Sequence, residues 1–392
     1  MKRYVAQTSV CASARALQKS KSASTNSAQK RRLKFAPHEF APQLVAWFHQ
    51  HKRPMPWREN RDPYRVWISE IMLQQTQVAT VIPYFERFIK RFPTVKDLAA
   101  APLEDVLQLW SGLGYYSRAR NMHRGAKLIV ERFDGKIPES SEEIREITGI
   151  GAYTAGAILS IAYGKPEPIV DGNVARVFSR LLRIHGDVRK GEPNKQVWEA
   201  ARELVMSGAD QGLDPGDINQ GVMELGATVC TPRAPTCESC PLSHGCQARK
   251  HKQQEQYPQI QKRAASPVWR LRAWVIENGA GELLFARRAP EGLFGGLWEL
   301  PTERIQDAAR TPAALKFTHT LTHRVLEIEL AFKKSESARP PQKHQPWSGE
   351  YVETKFLALH EALSGKISLA SVQKKMLRQL KEERASLFAI GG

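Results

Sequence analysis

Four cysteines lie close together and form the most specific chemical pattern in the chain. They are spaced as C-x6-C-x2-C-x5-C, and the set is Cys230, Cys237, Cys240 and Cys246. Four thiolates supply a complete ligand set for a zinc ion or for a [4Fe–4S] cluster. A tight group in a chain without an apolar signal segment favours a metal in a reducing compartment over disulfides. The remaining cysteine, Cys11, is assigned no role.

Two acidic residues could share the work of breaking a glycosidic bond. Helical spacing predicts that Trp67–Phe85 is one buried helix face, with Gln74 inside the apolar stripe and Glu70 at its edge. Asp171 follows a short apolar run at a predicted helix start. Singly, Glu70 fits a solvated edge and Asp171 fits an N-cap. Together, one carboxyl could stay protonated to activate a leaving group while the other stabilises an oxocarbenium-like sugar.

A glycine-containing turn between two predicted helices could bind a phosphate. The stretch ITGIGAYTAGAI, residues 147–158, places Gly149 and Gly151 in a G-x-G turn. Glycine at both positions would allow positive φ and a close approach of the backbone to a ligand. The N–H groups that open the second helix would then hold a phosphate without reading base sequence. Between two amphipathic helices in a basic chain, this turn favours a helix-hairpin-helix.

The charge of the chain indicates a polyanionic partner. The 392 residues have a net charge of +18 and a pI of about 9.8. This favours nucleic acid over a membrane surface, although an ordinary basic enzyme would also fit. No apolar run reaches the roughly 18 residues of a membrane span. No apolar signal segment opens the chain, so an intracellular protein is expected.

The pattern of apolar residues divides the chain into segments. The start is basic and lacks acidic residues before Glu39, which is typical of a disordered arm or an organelle transit peptide. Helical periodicity follows, and strands around a Gly-rich turn come last. The predicted helix caps are Thr94, Ser140, Asp171 and Asn194. The expected segments are a basic arm (1–37), a helical domain (38–226), a cysteine loop (227–250), a linker (251–266) and an α+β domain (267–392).

Six stretches together resemble one family. In order they are LQQTQVATVIPYFERF, GLGYYSRARN, TGIGAYTAG, VDGNV, MELGA and the four-cysteine loop. Over about residues 54–246 the chain resembles the MutY-type adenine DNA glycosylases. The resemblance implies a mainly α helix-hairpin-helix glycosylase domain with an iron–sulfur loop, followed by a smaller α+β Nudix-like domain. It implies a monomer with one [4Fe–4S] cluster, acting in the cytoplasm or nucleoid, or in the nucleus or mitochondrion of a eukaryote.

The implied activity is removal of adenine paired with 8-oxoguanine or guanine in duplex DNA, during base excision repair. Glu70 resembles the general acid that protonates adenine, which requires a pKa raised by burial. Asp171 resembles the carboxylate that stabilises the sugar cation or its adduct. Tyr153 stands where endonuclease III enzymes have a nucleophilic Lys, so a monofunctional hydrolase is expected. The resemblance further implicates Tyr153 and Asn173 in transition-state support, Trp57 and Arg58 as pocket walls, Gln75 and Tyr115 as wedges, and Thr76, Gly149 and Gly151 in DNA binding.

The C-terminal region resembles the lesion-reading Nudix-like domain of the same family. No REx2EE pattern follows GLFGGLWELP, so no pyrophosphate hydrolysis is expected there. The family reads 8-oxoguanine with an F-S-H loop, and this chain has Leu321, Thr322 and His323 instead. The hydroxyl of Thr322 keeps a hydrogen-bonding group, whereas Leu321 removes an aromatic ring.

Two other functions fit part of the pattern. A bifunctional endonuclease III-like glycosylase and lyase would share the hairpin and the cysteines, but Tyr153 in the Lys position and the extra C-terminal domain disfavour it. A catalytically silent iron–sulfur protein that binds DNA would have no reason to retain both Glu70 and Asp171.

Overall fold

The described part of the chain consists of a helical region followed by a smaller region built on a sheet. The structure is a computed structural model that describes residues 36–261, 265–305, 315–335 and 351–387, with backbone alone for 384–387. Residues 36–392 form one unit. Cys11 and nearly all of the arm expected over 1–37 lie outside the described residues. Within the described residues, no helix is both long and apolar enough to cross a membrane.

Twelve α-helices, separated by loops, lie between residues 37 and 250 of the described chain. They are α1 (Pro37–His51), α2 (Pro63–Leu73), α3 (Val78–Arg91), α4 (Val95–Ala100), α5 (Leu103–Trp110), α6 (Ser117–Phe133), α7 (Ser141–Glu146), α8 (Ala152–Tyr163), α9 (Gly172–Leu182), α10 (Gly191–Ala209), α11 (Pro215–Thr228) and α12 (Gln247–Lys250). The caps predicted at Thr94, Ser140 and Asp171 are confirmed. The cap predicted at Asn194 is wrong, because Asn194 lies inside α10 and its side chain donates to the carbonyl of Val188.

The predicted single helix over Trp67–Phe85 is in fact two helices. α2 ends at Leu73 and α3 begins at Val78. Gln75 has a φ of +58°, in the left-handed region through which a right-handed helix does not continue. Glu70 is only 5% exposed, so it lies in the buried face and not at a solvated edge. The break places the glutamine turn beside the end of the helix that contains Glu70.

Arg118 of α6 satisfies backbone groups at the break. Its Nη1 donates to the carbonyl oxygens of Ile71, Met72 and Gln74 at 2.8, 2.9 and 2.6 Å. Carbonyls in the last turn of a helix have no donor within the helix, and a guanidinium can supply several N–H groups from one fixed plane. A residue remote in sequence therefore defines where α2 ends.

Helix α8 lies at the centre of the helical region, between α2 and α11. Its residues 154–161 are all buried. Gly156 permits this packing, since a Cβ at that position would overlap the backbone carbonyl oxygen of Pro168. The close approach brings the polar side chains of α2, α8 and the start of α9 to one cleft.

The second region is a mixed sheet with two helices. Its elements are β1 (Val268–Glu277), β2 (Leu283–Arg288), β3 (Trp298–Glu299), β4 (Thr302–Arg304), β5 (Lys316–Leu321), β6 (Arg324–Lys334), β7 (Tyr351–Leu357), α13 (Leu359–Ser364) and α14 (Ser371–Leu387). The strand order is β3-β2-β1-β6-β5, with β4 paired to β1 and β7 paired to β2. β1 and β6 are parallel, and the other pairs are antiparallel. The predicted order of a helical region and then an α+β region is confirmed.

The two regions contact each other through α5 and the loop after it. Trp298 Nε1 donates to Glu104 Oε1 at 3.1 Å, and Ser111 Oγ donates to the carbonyl of Leu369 at 2.9 Å. The first part of the expected linker also packs on the helices, because the carbonyl of Tyr257 accepts from Arg180 Nε at 3.0 Å. The segment after α12 is therefore attached to the helical region over at least part of its length.

The packing of α8 predicts the effect of adding one methyl group. Gly156→Ala should lower the free energy of unfolding by about 1–3 kcal/mol, because α8 must move away from the Pro168 carbonyl. Urea denaturation measures the change. Gly279→Ala is the matched control, since Gly279 is exposed and a Cβ there meets nothing within 4 Å. Equal stabilities of the two variants would show that the close packing at Gly156 is unimportant.

Candidate functional site

The two predicted catalytic carboxylates line the same cleft, a cavity of about 480 Å³. Its walls come from α2, the turn after α2, α8, the start of α9 and α11. The predicted site residues that line it are Trp57, Arg58, Glu70, Gln75, Thr76, Tyr153, Asp171 and Asn173. The structure therefore brings together side chains that lie up to about a hundred positions apart in sequence.

Glu70 is buried, and Tyr153 is its hydrogen-bond donor among the described residues. Tyr153 Oη donates to Glu70 Oε2 at 2.5 Å. Burial raises the pKa of Glu70 to about 7, and the nearby charge of Asp171 adds to the rise, while the Tyr153 hydrogen bond and the charge of Arg58 oppose it. A carboxyl with a pKa near neutrality can hold a proton and still release it, as a general acid must.

Asp171 is both an N-cap and a wall of the cleft. Its Oδ1 accepts from the backbone N–H of Val174 at 2.7 Å, and its Oδ2 accepts from Asn173 Nδ2 at 2.9 Å. Burial raises the pKa of Asp171, and these hydrogen bonds work against that rise. With donors on both oxygens, Asp171 is better stabilised as a carboxylate than Glu70. The two acids are therefore suited to different roles.

A buried ion pair that the sequence reasoning missed holds the wall of the cleft. Glu224 of α11 is 1% exposed and accepts from Arg53 Nε at 2.5 Å and from Arg58 Nη2 at 2.9 Å. Burial favours the protonated acid, but the hydrogen bonds and charges of the two arginines outweigh it and lower the pKa of Glu224. Arg58 also donates to Gln220 Oε1 at 3.0 Å, which fixes its guanidinium at the cavity. The sequence signal that could have indicated this ion pair is Glu224 itself, the acidic residue of the MELGA motif.

The two glycines of the hairpin differ in conformation. Gly149 has a φ of +90°, and a Cβ there would contact Asn121. Gly151 has a φ of −93°, so the expectation of positive φ is confirmed for Gly149 and wrong for Gly151. Gly151 instead precedes α8 as its N-cap, and no side chain of the described residues caps that helix start. The first N–H groups of α8 are thus available to an external acceptor.

Tyr115 and the predicted lesion-reading turn lie outside the cleft and contact each other. Tyr115 has a φ of +49° and is 37% exposed. Its hydroxyl is hydrogen-bonded to Thr322 Oγ1 in the turn between β5 and β6. His323 follows in the same turn and is exposed. The structure thereby joins two predicted DNA-contacting elements from different regions of the chain.

The four cysteines line a second, smaller cavity. Arg180, 2% exposed, donates through Nη1 to Cys230 Sγ at 3.4 Å and to the carbonyl of Thr231 at 2.7 Å. Burial raises the pKa of Cys240 to about 12, and the neighbouring cysteines add to the rise. A positively charged group at this position would favour the thiolate form of Cys240. Among the described residues, no three His, Cys, Asp or Glu side chains are grouped to hold a single metal ion.

Comparison with known proteins identifies both regions. Residues 68–204 match the HhH-GPD superfamily of base excision DNA repair proteins, and residues 272–379 match the NUDIX domain. This confirms the predicted fold class, a helical domain of the HhH-GPD type followed by a Nudix-like domain with a mixed sheet.

The chain is similar to adenine DNA glycosylases of several organisms, as its motifs predicted. It is 47% identical to the Homo sapiens enzyme over 226 residues, 55% of this chain and 40% of the relative. It is 45% identical to the Mus musculus enzyme over 318 residues, 68% of this chain and 61% of the relative. With the Buchnera aphidicola (strain Sg) enzyme it shares 42% over 225 residues, 57% of this chain and 63% of the relative. The chain spans less than two thirds of each.

The raised pKa of Glu70 predicts a pH-dependent cost in stability. The pKa is about 7 in the folded chain and 4.5 for an ordinary Glu, so stability is lost as pH rises from 4.5 to 7 and stays reduced above it. Glu70→Gln should therefore raise the free energy of unfolding by about 1–3 kcal/mol at pH 8 and much less at pH 4.5. Urea denaturation at both pH values measures this. The exposed control Glu131→Gln should change little, and a gain for Glu70→Gln that is equal at both pH values would refute the buried-acid assignment.

Proposed function

We propose that this chain is an adenine DNA glycosylase of base excision repair. It hydrolyses the N-glycosidic bond of adenine paired with 8-oxoguanine or guanine in duplex DNA. The observation that supports this best is the pairing, in one cleft, of buried Glu70 with Asp171, two acids in different environments. Similarity to relatives named adenine DNA glycosylase supports the choice of base.

In this mechanism Glu70 begins protonated, with its other oxygen held by Tyr153. It gives the proton to a ring nitrogen of adenine as the bond from the base to the sugar breaks, so adenine leaves without negative charge. Asp171 stays ionised and stabilises the oxocarbenium-like sugar, and Asn173 holds its carboxylate in position. Water then adds to the sugar and leaves an abasic site.

The base must leave the stack to reach this cleft. Flipping costs a few kcal/mol, which side chains that occupy the vacated space offset. Gln75, in its left-handed turn, lines the cleft and is the first such wedge, and Tyr115 is the second. The pocket wall is formed by Trp57 and Arg58. The ring of Trp57 packs edge-on against that of Phe85, with 5.4 Å between the ring centroids. Thr76, beside Gln75 in the cleft wall, completes the DNA-binding set on this side.

The enzyme is monofunctional in this proposal. Among the described residues, those that line the cleft include no Lys, and the hydroxyl of Tyr153 occupies the position beside Glu70. Without an amine no Schiff base forms, so the abasic site is left intact. This disfavours the endonuclease III-like lyase as the function.

The four cysteines are proposed to bind one [4Fe–4S] cluster. The four cysteines line one cavity, and four thiolates are the ligand set that would hold such a cluster. Arg180 and Gln254 donate to Cys230 and Cys237 sulfur atoms, as polar groups do around cluster ligands. When bound, the cluster would supply a cross-link for the loop that follows α11.

The remaining assignments concern DNA and context. We assign the α7–α8 turn, with Gly149 and Gly151, to a backbone phosphate, and Thr322 with His323 to the purine opposite adenine. The protein would act as a monomer wherever genomic DNA is repaired. We also propose the segment boundaries predicted from the sequence, after residues 37, 226, 250 and 266.

Base release from defined duplexes tests the function. The purified chain should release adenine from duplexes that contain an A:8-oxoguanine or an A:guanine pair. It should release no base from a duplex that contains thymine glycol. The DNA strand should break only after alkali is added. Glu70→Gln and Asp171→Asn should each slow single-turnover release at least about 100-fold. The wild-type rate should fall as pH rises above about 7, because Glu70 loses its proton. The control Glu131→Gln should match wild type, and full activity of Asp171→Asn would refute the mechanism.

Metal analysis tests the cluster independently of activity. The wild-type protein should be brown and contain about four irons per chain. Cys237→Ser should lose the colour and the iron, because a ligand is removed. Cys11→Ser is the matched control and should keep both. A colourless wild-type protein with one zinc per chain would show that the cysteines bind zinc instead.

A further inference from the structure

One end of the sheet combines the Thr322–His323 turn with the ends of two other strands. The turn joins β5 to β6. β1 starts beside it, because β1 is parallel to β6 and Val268 lies opposite Val325. β4 ends near the same place, since its last residue, Arg304, lies opposite Leu271. The end of the sheet that contains the turn therefore also contains the start of β1, the end of β4 and the start of β6. This end of the sheet is called the edge below.

Two arginines at this edge contact one tryptophan. The guanidinium carbon of Arg324 lies 3.8 Å from the centroid of the Trp269 ring, and that of Arg304 lies 4.6 Å from it. The ring positions both cations by cation–π attraction. Neither arginine forms an ion pair with a carboxylate of the described chain, whose nearby acids pair with Arg270 and Arg272. Two like charges held together without a carboxylate are a favourable place for an external anion.

The same edge has a shallow cavity into which a phosphate can fit. Val268, Arg270, Arg304 and Ile305 line a cavity of about 500 Å³. The side chain of Arg270 pairs with Glu327 at 3.2 Å on the sheet face opposite to Trp269, so Arg304 supplies the unpaired cation of this cavity among the described residues. Guanidinium groups match the geometry of phosphate oxygens better than ammonium groups do.

We propose that this arginine edge, defined as Trp269, Arg304 and Arg324, binds a backbone phosphate of duplex DNA. The identity of the anion rests on the proposed function. Arg324 follows His323 directly in sequence. The bound phosphate would therefore belong to the DNA strand that the Thr322–His323 turn faces. Such a contact positions the turn and reads no base.

Salt-dependent binding of an undamaged duplex tests the arginine edge in the full chain. The slope of log affinity against log salt should become shallower by about 0.9 for each phosphate that the protein no longer neutralises. Arg304→Gln should leave about one phosphate without its cation and bind several-fold more weakly at low salt. Arg287→Gln is the matched control, because it removes one charge from the same domain at a residue paired with Glu353 at 2.7 Å. It should leave the slope unchanged.

Conservative variants separate charge from folding. The double variant Arg304→Lys, Arg324→Lys keeps both charges, so it should retain the wild-type slope, whereas Arg304→Gln, Arg324→Gln should not. Wild-type slopes for both Gln variants would overturn the phosphate site. The same slope change in Arg287→Gln would also overturn it, since the effect would then follow net charge alone. If wild-type protein fails to release adenine while the slopes change as expected, the proposed function fails and the site stands.

Discussion

The carboxyl of Glu70 is enclosed in the helical core with a single hydrogen bond from Tyr153, and the chemistry of the cleft depends on that enclosure. Water would stabilise the ionised form and return the pKa to its ordinary range. The packing of α2 against α8 excludes that water. Asp171, at the start of α9, is buried as well but has donors on both oxygens. Packing and hydrogen bonding thus give two chemically similar acids different protonation behaviour.

Three arginines organise the structure around the two cavities. Arg118 binds the carbonyls at the end of α2, and Arg180 binds those of the cysteine loop and of Tyr257. Arg58 is held by Glu224 and faces the cleft. A guanidinium has five donors in one plane, so it can replace the missing hydrogen bonds of irregular backbone. These residues allow tight turns beside the functional side chains without leaving backbone groups unsatisfied.

The helical and sheet regions meet on the side where DNA is proposed to bind. The hydroxyls of Tyr115 and Thr322 connect a helical loop with the β5–β6 turn, and Trp298 is bonded to Glu104 in the same contact between the regions. The arginine edge extends the basic surface beyond this turn. In the proposed complex, one region would lie at each base of a single pair.

The sequence alone determined the features that depend on local spacing. Cysteine spacing predicted a ligand set, helical and strand periodicity separated the two regions, and the caps at Thr94, Ser140 and Asp171 followed from residue type. The motifs predicted the similarity to adenine DNA glycosylases and paired Glu70 with Asp171. Each of these depends on residues within a few positions of one another or on short motif strings, which a linear pattern can display.

Only the tertiary structure decided where those patterns are interrupted. Arg118 binds the carbonyls at the end of α2, Tyr153 of α8 covers Glu70, and Glu224 of α11 holds Arg58. The ordinary φ of Gly151 and the contact of Tyr115 with Thr322 were likewise invisible in the sequence. The physical reason is that burial and side-chain hydrogen bonds join distant residues, and they outweigh the weaker local preferences from which helix ends and exposed edges are predicted.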